Sequence, residues 1–313
     1  MLLDIPDWSA RHGFTGHSNP RSKDRAKDLL EKSVIRPQIT KAFDTLSDKQ
    51  STDKDKLLAR HVLHRLHDGR SSSNMEGGKA AQTSTDLRLI PDEHGNTLEL
   101  AEATQAGIEQ LQFYKPKDSE DADKKAKYLD EFASVVEHAV LGLQEAMAGD
   151  NRILGEIQLK DTLPGLAVPY DTRPDYVRRG DLKTKWSSIS SKSKTGWMSA
   201  RLPNSLTGMF DMNNVFQCAG FWALNGKRPP FLVYASASDY RVFTPENAPE
   251  LRDDYLQDVI QETISHCKVT ENILRAASNT DELLGLVSPD WRALCWRETQ
   301  TYLDEAKKIW SLS

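Results

Sequence analysis

Apolar residues in this chain recur with two periods, and each change of period marks the boundary of an element. The longest helical run is 122–147. There Leu129, Phe132, Val135, Val136, Ala139, Val140, Leu143 and Met147 fall on one face, and Gly149 ends the run. The same spacing predicts helices over 23–47 (broken near Pro37), 53–67, 79–89, 98–112, 211–224 and 250–277. Ser288-Pro289 supplies a cap and a first-turn proline for a last helix over 290–310. Short apolar runs predict strands over 151–160, 166–170, 231–235 and 240–243. Polar, glycine-rich stretches separate these elements. Residues 1–24 read as a loose lead-in and 68–78 as a flexible break before a helix entered at Gly77-Gly78. The order of elements predicts an α+β fold, a mixed central sheet flanked by helices. It also predicts a division into an N-terminal helical lead-in, 1–74, and a main domain with C-terminal helices, 75–313.

Between the predicted strands lies Asp171-Thr-Arg-Pro-Asp175-Tyr-Val-Arg-Arg-Gly-Asp181-Leu-Lys183. Residues i and i+2 of a strand share a face, so Asp181 and Lys183 project together. Arg178-Arg179-Gly180 reads as a three-residue hairpin loop with Gly180 in the left-handed position. That register pairs Val177 with Asp181 and Asp175 with Lys183, and it brings two carboxylates and an ammonium to one face. Adjacent carboxylates repel unless a cation joins them. Their oxygens suit Mg2+ or Mn2+, and an ion there can stabilise the charge that develops in a phosphodiester displacement.

Composition narrows the setting. The net charge of −5 argues against a basic coat over the whole chain, so a nucleic-acid site has to be a local groove. Such a stretch exists. From 171 to 201, eight Lys/Arg (173, 178, 179, 183, 185, 192, 194, 201) stand against three Asp (171, 175, 181). Lys185, Lys192, Lys194 and Arg201, with serines and Trp186 and Trp197 among them, are candidate contacts to a phosphate backbone and unpaired bases. A mobile loop whose tryptophans sit in the core is the alternative. No apolar run is long enough to span a membrane, and the first residues lack the pattern of a signal peptide, so the expected location is cytoplasmic. Three scattered cysteines, Cys218, Cys267 and Cys295, suggest neither disulfides nor a zinc site and preclude a four-cysteine cluster. They read as buried thiols. His61, His64 and His67 read as a solvated helix face, and Trp291, Trp296 and Trp310 as packing residues. There is no G-x-x-x-x-G-K-[ST] loop.

Pro174-Asp175 followed by Asp181-Leu182-Lys183-Thr184 resembles the signature of the PD-(D/E)XK nuclease superfamily. The fuller run from Arg173 to Thr184 is similar to the RecE and RecB-type branch, which includes many phage exonucleases. Three further stretches fit the resemblance, which covers about residues 75–245. Glu156 precedes the central block as the family's extra acid does. Gln217-Cys-Ala-Gly-Phe221 resembles its Q-x-x-x-Y helix, with Phe for Tyr. Gly78-Lys-Ala-Ala-Gln82-Thr-Ser-Thr-Asp86 has the spacing of its G-x-x-x-H-x-x-x-E helix, with Gln and Asp substituted. The gap between Asp175 and Asp181 is short for the family, which leaves Asp171 as the alternative ligand.

The resemblance implies a restriction-endonuclease-like core and a Mg2+-dependent DNA exonuclease (Mn2+ substituting) of phage or recombination DNA processing. A structure-selective endonuclease and a non-catalytic DNA-binding module are the alternatives. It implies that Asp175 and Asp181 hold the ion, with Glu156 and the Leu182 carbonyl assisting. Lys183 then places the attacking water, Gln217 orients it, and Gln82 borders the DNA. A single-strand-annealing or DNA-binding partner protein and a homo-oligomeric form also follow from the resemblance alone. In the host, a phage-encoded chain is expected in the cytoplasm.

Overall fold

A computed structural model describes residues 14, 16–19, 26, 29, 36–66, 71–150, 153–292 and 300–310. Cys295, Trp296 and His67 lie outside these residues, as does most of the lead-in. The side chains of His61 and His64 are likewise outside them. The elements in chain order are helices α1 (Arg36–Ser47), α2 (Asp53–Leu66), α3 (Ser73–Leu89), α4 (Leu100–Phe113) and α5 (Ser119–Ala146). Strands β1 (Leu159–Asp161), β2 (Tyr170–Thr172), β3 (Gly180–Thr184), β4 (Ser188–Ile189) and β5 (Trp197–Met198) follow. The chain then forms α6 (Met209–Leu224), β6 (Phe231–Ala235), β7 (Tyr240–Phe243), a 3-10 turn (Pro249–Leu251), α7 (Asp253–Ala276), α8 (Thr280–Gly285) and α9 (Gln300–Ile309). The protein therefore has mixed α and β content, with helix predominating. Among the described residues no helix is long and apolar enough to cross a membrane.

The chain divides into two compact units. One gathers residues 1–70, 161–171 and 261–313; the other gathers 71–160 and 172–260. A cut at 74/75 would put the C-terminal helices with the main domain, whereas by contacts 261–313 cluster with 1–70.

The first unit packs Phe14, Leu29, Val168, Leu274, Leu283 and Ala306 into one cluster. Trp291 and Trp310 meet edge to face at 5.7 Å, and the Trp310 indole donates to the Leu284 and Val287 carbonyls, so both tryptophans are packing residues as expected. Cys267 is a buried thiol, as is Cys218 in the other unit. At the centre of the first unit the Glu271 carboxylate, 1 % exposed, accepts from His17 Nε2 (3.0 Å) and from the Ala167 and Val168 N–H groups (2.9 and 3.0 Å). Burial pushes this carboxyl up, but the His17 and backbone hydrogen bonds outweigh it and hold the pKa below the ordinary glutamate value. A depressed acid stabilises the fold above its unfolded pKa, and the contribution is lost as pH falls through the folded value. Glu271→Gln should therefore lower the melting temperature at neutral pH, and the gap from the parent should shrink as pH drops below about 4.3, the unfolded glutamate range. Melting curves across that range test this.

The second unit carries the sheet. Its three strands run in the order β3-β6-β7, with β3 parallel to β6 and β7 antiparallel to it. β6, Phe-Leu-Val-Tyr-Ala, is buried throughout, as a central strand should be. Its alternation serves two layers. Phe231 and Val233 join a core with Phe132, Val135, Val136, Val140 and Leu143 of α5. Tyr234 instead turns to α6, where its hydroxyl donates to Asp211 (3.0 Å) and accepts from Asn214 (2.7 Å). The sheet thus lies between α5 and α6.

Several expectations need correction. The residues around Glu156 do not form a strand; β1 begins only at Leu159. Residues 154–157 run beside 174–177 with two backbone hydrogen bonds, Val177 N–H to Leu154 O (2.9 Å) and Ile157 N–H to Pro174 O (3.3 Å). Pro174 has no N–H to donate, so it removes a rung that a ladder would need. Three consecutive strands were expected to form one sheet; instead β3 pairs with the distant β6. The break at 68–78 is shorter than predicted. α3 starts at Ser73, capped by Ser72, whose hydroxyl accepts from Met75 N–H (3.3 Å). Asp121 of the α5 first turn accepts from the Ser73 N–H (2.9 Å), a contact 48 residues away. The last helix was expected from 290, but 290–292 are not helical.

The hairpin is also built differently. Tyr176 pairs with Gly180, exchanging both backbone hydrogen bonds (3.1 and 2.9 Å). Val177 and Arg178 carry the positive φ angles, 44° and 65°, and Gly180 does not. Glycine at 180 answers a different need, because a Cβ there would lie 1.9 Å from the Phe231 ring of the neighbouring strand. Gly180→Ala should cost about 1–3 kcal/mol by overpacking, read as a lowered denaturation midpoint. Pairing it with Phe231→Leu should recover part of the loss.

Candidate functional site

The observed register moves Asp175 opposite Asp181, two residues from the predicted Asp175–Lys183 pairing, so both acids still meet on one face. The reason lies in the strand edges. Phe231 N–H donates to Arg179 O (3.2 Å) and Lys185 N–H to Ala235 O (2.8 Å), so the odd-numbered peptide groups of β3 face β6. The even-numbered groups face the other, open edge. There Gly180 bonds Tyr176, and Leu182 N–H donates to Asp175 Oδ2 (3.0 Å). The Leu182 carbonyl projects to that same edge, beside the acids.

Asp181 is 1 % exposed and ion-paired with Lys183. The Asp175 and Asp181 carboxyls lie close enough to act on each other directly. Burial, and then the Asp181 charge, raise Asp175 well above the ordinary carboxylate value. Burial works against the Lys183 ammonium, but the Asp181 charge and hydrogen bond, with the Asp175 charge, together outweigh it and raise its pKa overall. Lys183 is therefore a cation at neutral pH. Its Nζ donates to Gln217 Oε1 of α6 (3.1 Å), which ties the Gln217 helix to the acid pair. Cys218, beside Gln217, is fully buried next to this pair, and burial pushes its thiol up. Phe221, one turn on, is wholly buried in packing.

α3 borders the same edge. Gly78 sits beside Thr184 and Gly77 beside Trp186, while Asp86 accepts from the Tyr176 hydroxyl (2.8 Å). Gly78, Gln82 and Asp86 are spaced at i, i+4 and i+8, so Gln82 falls between these two contacts on one helix face. Burial pushes the Asp86 carboxyl up to about 6; the Tyr176 hydrogen bond opposes this and the Glu156 charge adds to it. Thr85 Oγ1 also lies 2.5 Å from the Tyr176 hydroxyl. Glu156 is exposed and sits 3.8 Å from Arg173. It is near enough to influence Asp86 but does not join the Asp175–Asp181 pair. Asp171 ends the 161–171 stretch of the first unit, and Asp175 is the acid that faces Asp181.

Among the described residues, no three His, Cys, Asp or Glu side chains come together as a ready metal cage. Two carboxylates and a carbonyl are nevertheless a set that suits Mg2+, which keeps several waters and binds one or two protein carboxylates plus phosphate oxygens. The Asp181 charge acts against a second charge on Asp175, so a cation bound here would relieve like-charge repulsion.

The basic stretch divides. Trp186 is core: it stacks on Tyr128 at 4.9 Å and Phe132 at 6.0 Å and is 7 % exposed. The Lys185 ammonium lies over the Tyr234 ring at 5.4 Å. Beyond them, β4 and β5 form a hairpin, with Ile189 paired to Trp197 and Ser188 to Met198. Lys192, Lys194 and Arg201 are exposed and Trp197 is half-buried. Glu131 of α5 anchors the hairpin base by accepting from the Ser187 hydroxyl (2.5 Å) and N–H (3.2 Å). Neither Glu131 nor the Tyr176 hydroxyl was legible in the sequence, because their partners lie 56 and 90 residues away. Compared with family models, with curated proteins and with solved structures, the chain finds no match.

Proposed function

We propose that the second unit is a Mg2+-dependent deoxyribonuclease, built on a core of the restriction-endonuclease type and acting as an exonuclease. The reading rests on one observation: beside β3 the Asp175 carboxyl bonded to Leu182 N–H, the buried Asp181 and the Lys183 ammonium gather at one place, with Lys183 paired to Asp181 and bonded to Gln217. Asp175, Asp181 and the Leu182 carbonyl would hold the ion, with Mn2+ as a substitute. When bound, the ion supplies charge neutralisation at the scissile phosphate and makes water more acidic.

The remaining work falls to the chain. Lys183 is a cation and so donates hydrogen bonds; it orients water or a phosphate oxygen and does not abstract a proton. Gln217 fixes the Lys183 side chain through its Oε1. Asp86, with its pKa near 6, exchanges a proton close to neutral pH beside Tyr176. Gln82, on the α3 face that borders β3, and the exposed Glu156 would meet substrate and not the acid pair. Preference for an exonuclease comes from the resemblance to the RecE branch.

The decisive experiment supplies end-labelled linear DNA and closed circular DNA with Mg2+, and with EDTA as control. Loss of linear DNA alone is the expected result. Nicking of the circles would replace exonuclease with endonuclease, and no cleavage of either would leave a DNA-binding module.

A further inference from the structure

Trp197 separates two clefts of opposite character. One, of about 390 Å³, is lined by Lys192 and Arg201, the hydroxyls of Ser190 and Ser193, and Trp197 with Met198. It contains no acid. The other, of about 470 Å³, has Trp197 and Ile189 on one wall and Asp123, Lys127 and Asp130 of α5 on the opposite wall. From Lys185 to Arg201 the chain carries four cations and no carboxylate, within a protein of net charge −5. The hairpin and its exit are therefore locally basic.

We infer that the basic cleft binds an unpaired nucleotide of single-stranded DNA, its base stacked on the Trp197 indole and its phosphates held by Lys192 and Arg201. Two cations with serine hydroxyls make a phosphate site that does not read sequence. The indole and the Met198 thioether supply an apolar surface of the kind a base needs. In a duplex both faces of every base are already covered by neighbours, so only a frayed end or a single strand can offer one. On the far side of Trp197 two carboxylates stand against the one ammonium of Lys127, so phosphates favour the basic side. The hairpin leaves the chain directly after β3, the strand that bears Asp181 and Lys183. The choice of DNA as ligand rests on the nuclease reading above; the preference for an unpaired strand rests on Trp197.

Binding is read by fluorescence anisotropy in EDTA, with the full chain and two labelled probes of equal length, an oligothymidylate and a blunt duplex. Trp197→Ala should weaken oligothymidylate binding about ten-fold and duplex binding less than about two-fold. Trp197→Phe should keep most of the affinity. An equal loss for both probes, or a loss for neither, would overturn the inference. Circular dichroism establishes that the variants fold. The two readings fail separately. A chain that cleaves DNA but ignores Trp197→Ala refutes stacking only, and a chain that shows the Trp197 effect but never cleaves refutes only the nuclease.

Discussion

Asp181→Asn should reduce Mg2+-dependent cleavage by roughly a thousand-fold or more, with the fold intact. The expected size follows from the two things lost together, a charge that holds the ion and the anchor of Lys183. Neutralising Asp181 removes the like charge that raises Asp175, so burial alone then acts against the Asp175 carboxylate. Lys183 loses one partner but keeps Asp175 nearby, as their mutual influence shows. Stability should consequently change little. A second readout separates a metal role from a structural one. Mg2+ should raise the melting temperature of the parent by preferential binding to the folded state, and this rise should vanish in Asp181→Asn. A variant that melts as the parent does, is stabilised by Mg2+ as the parent is, and still cleaves would remove Asp181 from the chemistry.

Lys183→Ala should cost about a hundred- to ten-thousand-fold in rate. Its stability effect should differ from that of Asp181→Asn. Removing the ammonium leaves two buried acids with no cation, and truncating one partner of a buried pair is the costly direction. We therefore expect Lys183→Ala to melt lower than Asp181→Asn without metal, and added Mg2+ to narrow the gap. Lys183→Arg should restore much of the stability and little of the rate, since a planar guanidinium cannot occupy the place of a compact ammonium. Equal melting of the Ala and Asn variants would mean that the Lys183–Asp181 pair is not the element that balances the site.

Local signals made much of this legible in the sequence. α5 was visible because its apolar period is sustained, and β6 and β7 were visible to the residue. The acids and Lys183 could be named from spacing, and Gln217 from the resemblance to the nuclease motif. What escaped depends on distant partners. Gly180 looked like a turn glycine, yet the Phe231 ring that requires it lies 51 residues on. With Gly180 engaged against that ring, the left-handed positions fell to Val177 and Arg178, residues that do not advertise such a role. The first turn of α3 was hidden in a polar run because half of its cap comes from Asp121. Trp186 and Trp197 looked alike in a basic stretch; only packing against Tyr128 and Phe132 tells the first from the second.

The connectivity of the two units has a practical corollary for dissecting the protein. The chain passes between them at 70/71, 160/161, 171/172 and 260/261. Trimming both ends to leave residues 71–260 would retain the eleven-residue excursion 161–171 while discarding Leu274 and Glu271, to which Val168 is bound by packing and by its N–H. A trimmed product is thus expected to expose Val168 and its neighbours and to precipitate. Isolating the acid-bearing half calls for replacing 161–171 with a short polar bridge as well as removing the ends.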